Sequence, residues 1–292
     1  MADFDTMGKV GVWTSIRQWP SDPQAWAEVG TELEQLGFAA LWIGGSSGQL
    51  QIIDAVLGAT SRLVAGTGII QIWANPAQEV AAAHHQLTTD HPGRFLLGLG
   101  VGHAPAVEAA GQTYRRPLEK LTSYLDELDA AEHPVPASER VIAALRPKAL
   151  AIAAARAAGA HPYNVSPDHT AKARAVMGPS ALLIPEQKVC IGTDASTSRE
   201  VGRETMARYL RLPNYVNNLR ELGFDDTDFV DGGSDRFIDT MVLWGSASVI
   251  SARVREHLDA GADQVAVQVL TTTDNNVLPR HEWREAADVL LG

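Results

Sequence analysis

Three times along this chain a helical pattern is stopped by a glycine and passes at once into an apolar run. The junctions are Leu36-Gly37-Phe38-Ala39-Ala40-Leu41-Trp42-Ile43, Ala158-Gly159-Ala160-His161-Pro162-Tyr163 and Ala260-Gly261-Ala262-Asp263-Gln264-Val265-Ala266-Val267. Glycine ends a helix because it takes the left-handed conformation that closes the last turn, so each junction is the αβ half of a βα unit. Strand-like and helical patterns alternate throughout, which calls for crossover connections and a parallel sheet. Strands are expected at Lys9–Trp13, Ala39–Ile43, Leu63–Ile72, Phe95–Leu99, Arg140–Leu145, Ala160–Asn164, Lys188–Ile191 and Gln264–Leu270. Eight strands separated by helices over about 250 residues predict a (β/α)8 TIM barrel, whose active site lies at the strands' C-terminal ends. A doubly wound sheet shares the same local pattern and is the alternative. We read residues 1–292 as one α/β domain. The stretch 196–244 exceeds one crossover helix and contains Pro213, Gly223 and Asp231-Gly232-Gly233-Ser234, so it is expected to be a helical insertion, serving as a lid or dimer surface.

Composition narrows the partners. The chain has 24 basic and 35 acidic residues and a net charge of −11, which repels nucleic acid and anionic lipid over most of its surface. The lone cysteine, Cys190, excludes an internal disulfide framework and fits a reducing cytosol. Met1 to Lys9 is polar, without the apolar core of a signal peptide. No stretch reaches the roughly 18 apolar residues of a spanning helix, so a cytoplasmic protein that binds no membrane is expected.

The densest chemistry follows the third strand. In Leu63-Val64-Ala65-Gly66-Thr67-Gly68-Ile69-Ile70-Gln71-Ile72-Trp73-Ala74-Asn75-Pro76 a buried strand runs into small residues, then a Trp and a Pro-opened helix. Such a turn lets a flat ring lie against backbone where side chains would block it. Trp13 and Trp73 are placed to wall that pocket, whereas Trp42 reads as core. Gly44-Gly45-Ser46-Ser47-Gly48 satisfies G-x-S-x-G, so a serine hydrolase using Ser46 with the late Asp274 and His281 is an alternative of another class. The context argues against it, since only two strands precede the motif and neither partner stands at a strand end. Gly98-Leu99-Gly100-Val101-Gly102-His103 imitates the dinucleotide fingerprint, but His103 or Pro105 replaces its third glycine and no acidic strand end follows. His84, His85 and His91 have no metal-ligand spacing, and no metal is expected. His103 stands just past a glycine-rich strand end, where a barrel keeps its chemistry.

Taken together, Thr67-Gly68-Ile69 with Trp73 and Pro76, Pro92-Gly93-Arg94-Phe95 through His103, and Tyr114 with Arg116-Pro117-Leu118 and Tyr124-Leu125-Asp126 resemble the luciferase-like monooxygenase superfamily. Ala143-Ala144-Leu145-Arg146-Pro147-Lys148, Gly159-Ala160-His161-Pro162-Tyr163 with Pro167-Asp168-His169-Thr170, Pro185-Glu186-Gln187 and Leu212-Pro213-Asn214-Tyr215-Val216-Asn217-Asn218-Leu219 resemble its branch that uses the deazaflavin coenzyme F420. The similarity runs from about residue 8 to 272. It implies a TIM barrel, a homodimer, and hydride transfer between the cofactor and a small organic substrate, with FMN as the alternative cofactor. It further implies a non-prolyl cis peptide at Gly68-Ile69 supporting the back of the ring, and a phosphate at the loop after the fifth strand. There Arg146-Pro147 replaces the family's usual Gly-Pro, and Arg146 and Lys148 supply positive charge suited to phosphate and an acidic tail.

The catalytic positions depart from the family's sugar-phosphate dehydrogenases. Their Asp-His pair and their Glu correspond here to Gly45-Ser46 and His103, so neither substrate nor proton relay carries over. The expected cofactor site is Trp13, Gly44, Gly45, Ser46, Gly68, Ile69, Trp73, Gly100, Gly102, Leu145, Arg146, Pro147, Lys148 and His161. His103 is the expected proton donor or acceptor, because hydride transfer at carbon needs a matching proton movement. A non-catalytic deazaflavin carrier is the remaining alternative.

Overall fold

A computed structural model describes residues 7–272 and 276–291. Strand β1 (Val10–Ser15) leads to helix α1 (Pro23–Gln35), capped by the Asp22 side chain with Pro23 in its first turn. There follow β2 (Ala40–Gly44), α2 (Gln51–Gly58), β3 (Val64–Thr67), β4 (Ile70–Gln71), α3 (Ala77–Asp90) and β5 (Phe95–Gly100). Next come α4 (Ala104–Ala109), α5 (Pro117–Asp129), β6 (Arg140–Ile142), α6 (Pro147–Arg156), β7 (Gly159–Ala160) and α7 (Pro167–Met177). The chain continues through β8 (Leu182–Leu183), β9 (Glu186–Ile191), α8 (Ala195–Met206), α9 (Pro213–Glu221) and α10 (Asp235–Met241). It ends with β10 (Val242–Gly245), α11 (Ala247–Asp259), β11 (Val265–Val269) and α12 (Arg280–Leu290).

All strand pairs are parallel, in the order β10-β9-β11-β1-β2-β3-β5-β6-β7-β8, with β4 beside β5. Only Ile184 and Pro185 separate β8 from β9, and that continuity closes the barrel. Ile184 N donates to Ala160 O (2.9 Å), while on the opposite edge Asp263 N donates to Leu183 O and Ala266 N to Pro185 O, both at 2.9 Å. The architecture is therefore the expected single-domain (β/α)8 barrel and not the open doubly wound sheet. Several strand boundaries differ from the sequence reading. Leu63–Ile72 is split in two at Gly68-Ile69, Arg140–Leu145 stops at Ile142, Ala160–Asn164 is reduced to Gly159–Ala160, the first strand runs on to Ser15, and the seventh begins at Glu186 after the separate β8. The segment read as helical throughout 196–244 holds three helices but finishes in β10, which pairs with the end of β9 where β7 has already diverged. Its Val-Leu-Trp-Gly run is too short for periodicity to distinguish it from a helix end.

Strands buried along their length, such as β2 and β5, read as continuous apolar runs because helices cover the outside and side chains fill the lumen. Trp42 fills the lumen. Its Nε1 donates to Gln264 Oε1 (2.8 Å), and its ring stacks on His161 with centroids 4.6 Å apart. Gly66 makes this possible, since a Cβ there would lie 2.4 Å from the Trp42 ring. Gly66→Ala is accordingly expected to cost about 1–3 kcal/mol, measured by urea unfolding, because the lumen has no slack to move the indole. A separate apolar cluster, including Met206, Tyr209, Tyr215, Leu219, Phe237, Ile238 and Met241, packs the insertion onto the barrel's mouth through Leu270. Among the described residues no helix is long and apolar enough to cross a membrane, and no group of three metal-ligating side chains occurs.

Candidate active site

The C-terminal ends of the strands surround a cavity of about 310 Å³. Its floor is the peptide between β3 and β4. The Gly68-Ile69 bond is cis, and a Cβ on Gly68 would fall 2.7 Å from Trp13 Nε1 and 3.1 Å from His161 Nε2. Only glycine fits there. Those two nitrogens are buried and have no hydrogen-bond partner among the described residues. His161 Nδ1 lies 2.7 Å from Ile184 O and so carries the proton, leaving Nε2 bare. Burial pushes the His161 imidazole down to about 4, against the raising effect of that carbonyl bond.

The side of the cavity is free of bulky side chains for a physical reason. Gly100 yields its Cβ space to Ile69, whose Cδ1 would come within 2.8 Å, and Gly102 has φ +62° with Gln71 Nε2 2.5 Å from the missing Cβ. Ala143 and Ala144 continue this surface after β6. His103 stands on the rim. Its Nδ1 lies 3.2 Å from Asn214 Oδ1 and its ring packs 5.4 Å from that of Tyr215. Burial pushes its pKa below the ordinary 6.5, more than the Asn214 bond raises it, so the imidazole is neutral at pH 7. With Nδ1–H donating to Asn214, Nε2 keeps a lone pair able to take a proton.

The remaining wall is phenolic. Tyr163 OH donates to Gln268 Oε1 (2.8 Å) and shares a 2.7 Å bond with Tyr209 OH. Beneath Tyr163, the Lys188 ammonium sits 4.1 Å from the ring centroid and donates to Glu186 Oε1 and Oε2 at 3.0 and 3.1 Å and to Asn164 Oδ1. Residues 186 and 188 alternate on one strand and face the lumen together. A second cavity of about 590 Å³ adjoins the first through Val101, Ala143, Leu145 and Asn214, and adds Pro117, Leu118, Arg146, Pro147, Lys148 and Glu221.

A model of the luciferase-like monooxygenase family matches residues 7–178, well over half of the chain. The chain belongs to the luciferase-like monooxygenase family. No curated protein matches the chain. Among solved structures, a family-like barrel recurs in an F420-dependent secondary alcohol dehydrogenase in complex with an F420-acetone adduct. That match has a TM-score of 0.72 and 14% identity and covers 97% of this chain and 98% of the other. It recurs in the coenzyme F420 dependent tetrahydromethanopterin reductase from Methanopyrus kandleri (0.71, 15%, 97% of both chains). The oxygenating constituent of 3,6-diketocamphane monooxygenase from Pseudomonas putida, in complex with FMN, also matches (0.67, 13%, 96% of both). At these identities the likeness is one of fold.

On this luciferase-like barrel the residues singled out in the sequence separate into three groups. Trp13, Gly45, Gly68, Ile69, Gly100, Gly102, His103, Leu145 and His161 line the first cavity, and Leu145, Arg146, Pro147 and Lys148 line the second. Gly44, Ser46 and Trp73 line neither. Gly44 lies behind the Trp13 ring, where a Cβ would come within 2.0 Å of Cζ2. Trp73 is turned away by its own bond, Nε1 to Val101 O at 2.8 Å, and packs on Tyr114. Ser46 donates to Ile43 O (2.7 Å), closing the turn, and among the described residues no histidine is bonded to it. His281 pairs with Glu285 on α12, so among the described residues Ser46 has no base beside it, and Asp274 lies outside them. The sequence reading missed Gln71, Tyr163, Tyr209, Asn214 and Tyr215 as lining residues. Asn214 and Tyr215 sit in the segment that carried the family resemblance, but Tyr209 has no local signal, because only the folding of the insertion brings it to the mouth.

Proposed function

We propose that the enzyme is a deazaflavin (F420)-dependent oxidoreductase that moves a hydride between the cofactor and a small alcohol- or carbonyl-bearing substrate. The observation that carries this reading is the pair of adjoining cavities. One is a largely apolar slot walled by glycine and alanine backbone, the other holds Arg146 and Lys148. A flat ring with an anionic tail fits that division, the ring against Gly68, Ile69, Gly100 and Gly102 and the phosphate against the two cations. The F420-dependent neighbours and the Leu212–Leu219 segment favour the deazaflavin.

When bound, the cofactor supplies the carbon that accepts or donates the hydride. His103 takes the substrate's hydroxyl proton at Nε2 while Asn214 fixes the ring, and the Tyr163, Tyr209 and Tyr215 rings exclude water from the reacting face. A titration following fluorescence with F420 and with FMN checks the cofactor, and tighter binding of FMN overturns the deazaflavin claim. The FMN-bound neighbour makes that the second reading. With F420 and a panel of short secondary alcohols, His103→Asn is expected to slow cofactor reduction by about 10²-fold or more at unchanged F420 affinity. A loss of affinity with unchanged rate would instead make His103 a pocket wall. We also propose a cytoplasmic homodimer, to be checked by sedimentation.

A further inference from the structure

The second cavity contains a group that works against an anionic ligand. Glu221, the last residue of α9, places Oε1 2.7 Å from Arg146 Nη2 and lines the cavity with Arg146 and Lys148. Helix α9 is fastened at both ends. Asn214 meets His103 at one end, and Lys172 Nζ donates to Glu221 O (3.0 Å) at the other. The guanidinium facing the cavity is thus already engaged by a carboxylate, while Lys148 has no ion pair among the described residues.

We infer that Glu221 is an internal competitor for the ligand's phosphate, holding Arg146 until an anionic tail displaces it, and so sets the affinity for phosphate-bearing ligands. This inference rests on the placement of the phosphate under Proposed function. The side chains of Arg146 and Glu221 are 56% and 47% exposed, a setting in which an ion pair contributes little and is readily exchanged. A phosphate can engage Arg146 in two parallel hydrogen bonds and reach Lys148 as well, whereas Glu221 holds Arg146 alone. Once displaced, the Glu221 carboxylate still lines the cavity and repels the tail that replaced it. Glu221 therefore weakens anionic ligands and leaves neutral ones untouched.

Fluorescence titrations of F420, FMN and riboflavin, which is FMN without its phosphate, test this on the wild type and Glu221→Gln. Glu28→Gln on α1 carries the same change in net charge away from the cavity. Glu221→Gln is expected to bind the phosphate-bearing rings about three- to fivefold tighter, with riboflavin unchanged and Glu28→Gln equal to the wild type. Equal or weaker binding in Glu221→Gln overturns the inference, as does an equal gain for riboflavin or for Glu28→Gln. If neither F420 nor FMN binds any form, the cofactor reading fails, and inorganic phosphate still decides the inference. Its upward shift of the melting temperature must then be larger in Glu221→Gln than in the wild type, and equal shifts overturn it.

Discussion

Lowering the pH from 7 to 5 is expected to remove about 4 kcal/mol of folding stability, a large share of the roughly 5–15 kcal/mol of a typical domain. Two buried imidazoles account for it; a third, His84, is also pushed by burial to about 4, but Glu139 stands 3.3 Å from its Nε2 and offsets the cost of charging it. His161 is held neutral in the lumen with its pKa pushed by burial to about 4, and His257 is pushed by burial to about 3. In the unfolded chain both return to about 6.5. Between the folded and unfolded values the unfolded state binds more protons, so stability is complete above pH 6.5 and drains as the pH falls toward 4. Each group contributes about 2 kcal/mol of this loss at pH 5. His257 cannot avoid the cost by moving, because Nδ1 and Nε2 are both engaged, at 2.8 Å from Thr170 Oγ1 and 2.8 Å from Gln187 Oε1. Urea unfolding at pH 7, 6 and 5 measures the slope. A stability that stays flat from pH 7 to 5 would show that these rings are solvated or paired in a way the structure does not contain.

Lys188→Met is expected to destabilise the barrel by about 3–5 kcal/mol. The side chains of Lys188 and Glu186 are each 1% exposed and pair at 3.0 and 3.1 Å in the lumen. Taking the ammonium away leaves a carboxylate in the barrel without its counter-charge, and leaves Asn164 Oδ1 without its donor. Methionine fills nearly the same volume, so little of the loss comes from packing. Burial pushes the Lys188 ammonium down to about 8 even with Glu186 pulling it up, a sign of how expensive this charge is to keep. Adding Glu186→Gln to Lys188→Met should restore most of the stability, because a neutral amide needs no counter-ion. Equal losses in the single and double variants, compared by urea unfolding, would mean that the ion pair is not what the lumen depends on. Tyr163 lies directly over the ammonium, so the wall of the first cavity should loosen with it.

How far the sequence could be read follows from which interactions are local. The junctions at Gly37 and Gly261, the Asp22-Pro23 helix start and the apolar runs of β2 and β5 depend on residues within a few positions of one another, and the structure has them where the pattern puts them, whereas at the third junction α6 already ends at Arg156 and Gly159 belongs to β7 rather than stopping the helix. Where side chains answer to distant partners, the pattern misleads. Trp73 looks like a pocket wall until its indole is seen bonded to Val101 O, and Ser46 looks like a nucleophile until its hydroxyl is seen closing a turn on Ile43 O.

The amino-acid sequence determined the alternation of strands and helices, the glycines at positions 68, 100 and 102 that line the first cavity, and the family, since backbone freedom and burial periodicity are properties of short stretches. Closure through the β8–β9 bend, the strand β10 and the meeting of Tyr163 and Tyr209 over Lys188, with Tyr215 against both rings, were decided only by the tertiary structure. Those contacts join segments far apart in the chain, and each forms only when the barrel brings distant side chains within reach while excluding water from the charges beneath them.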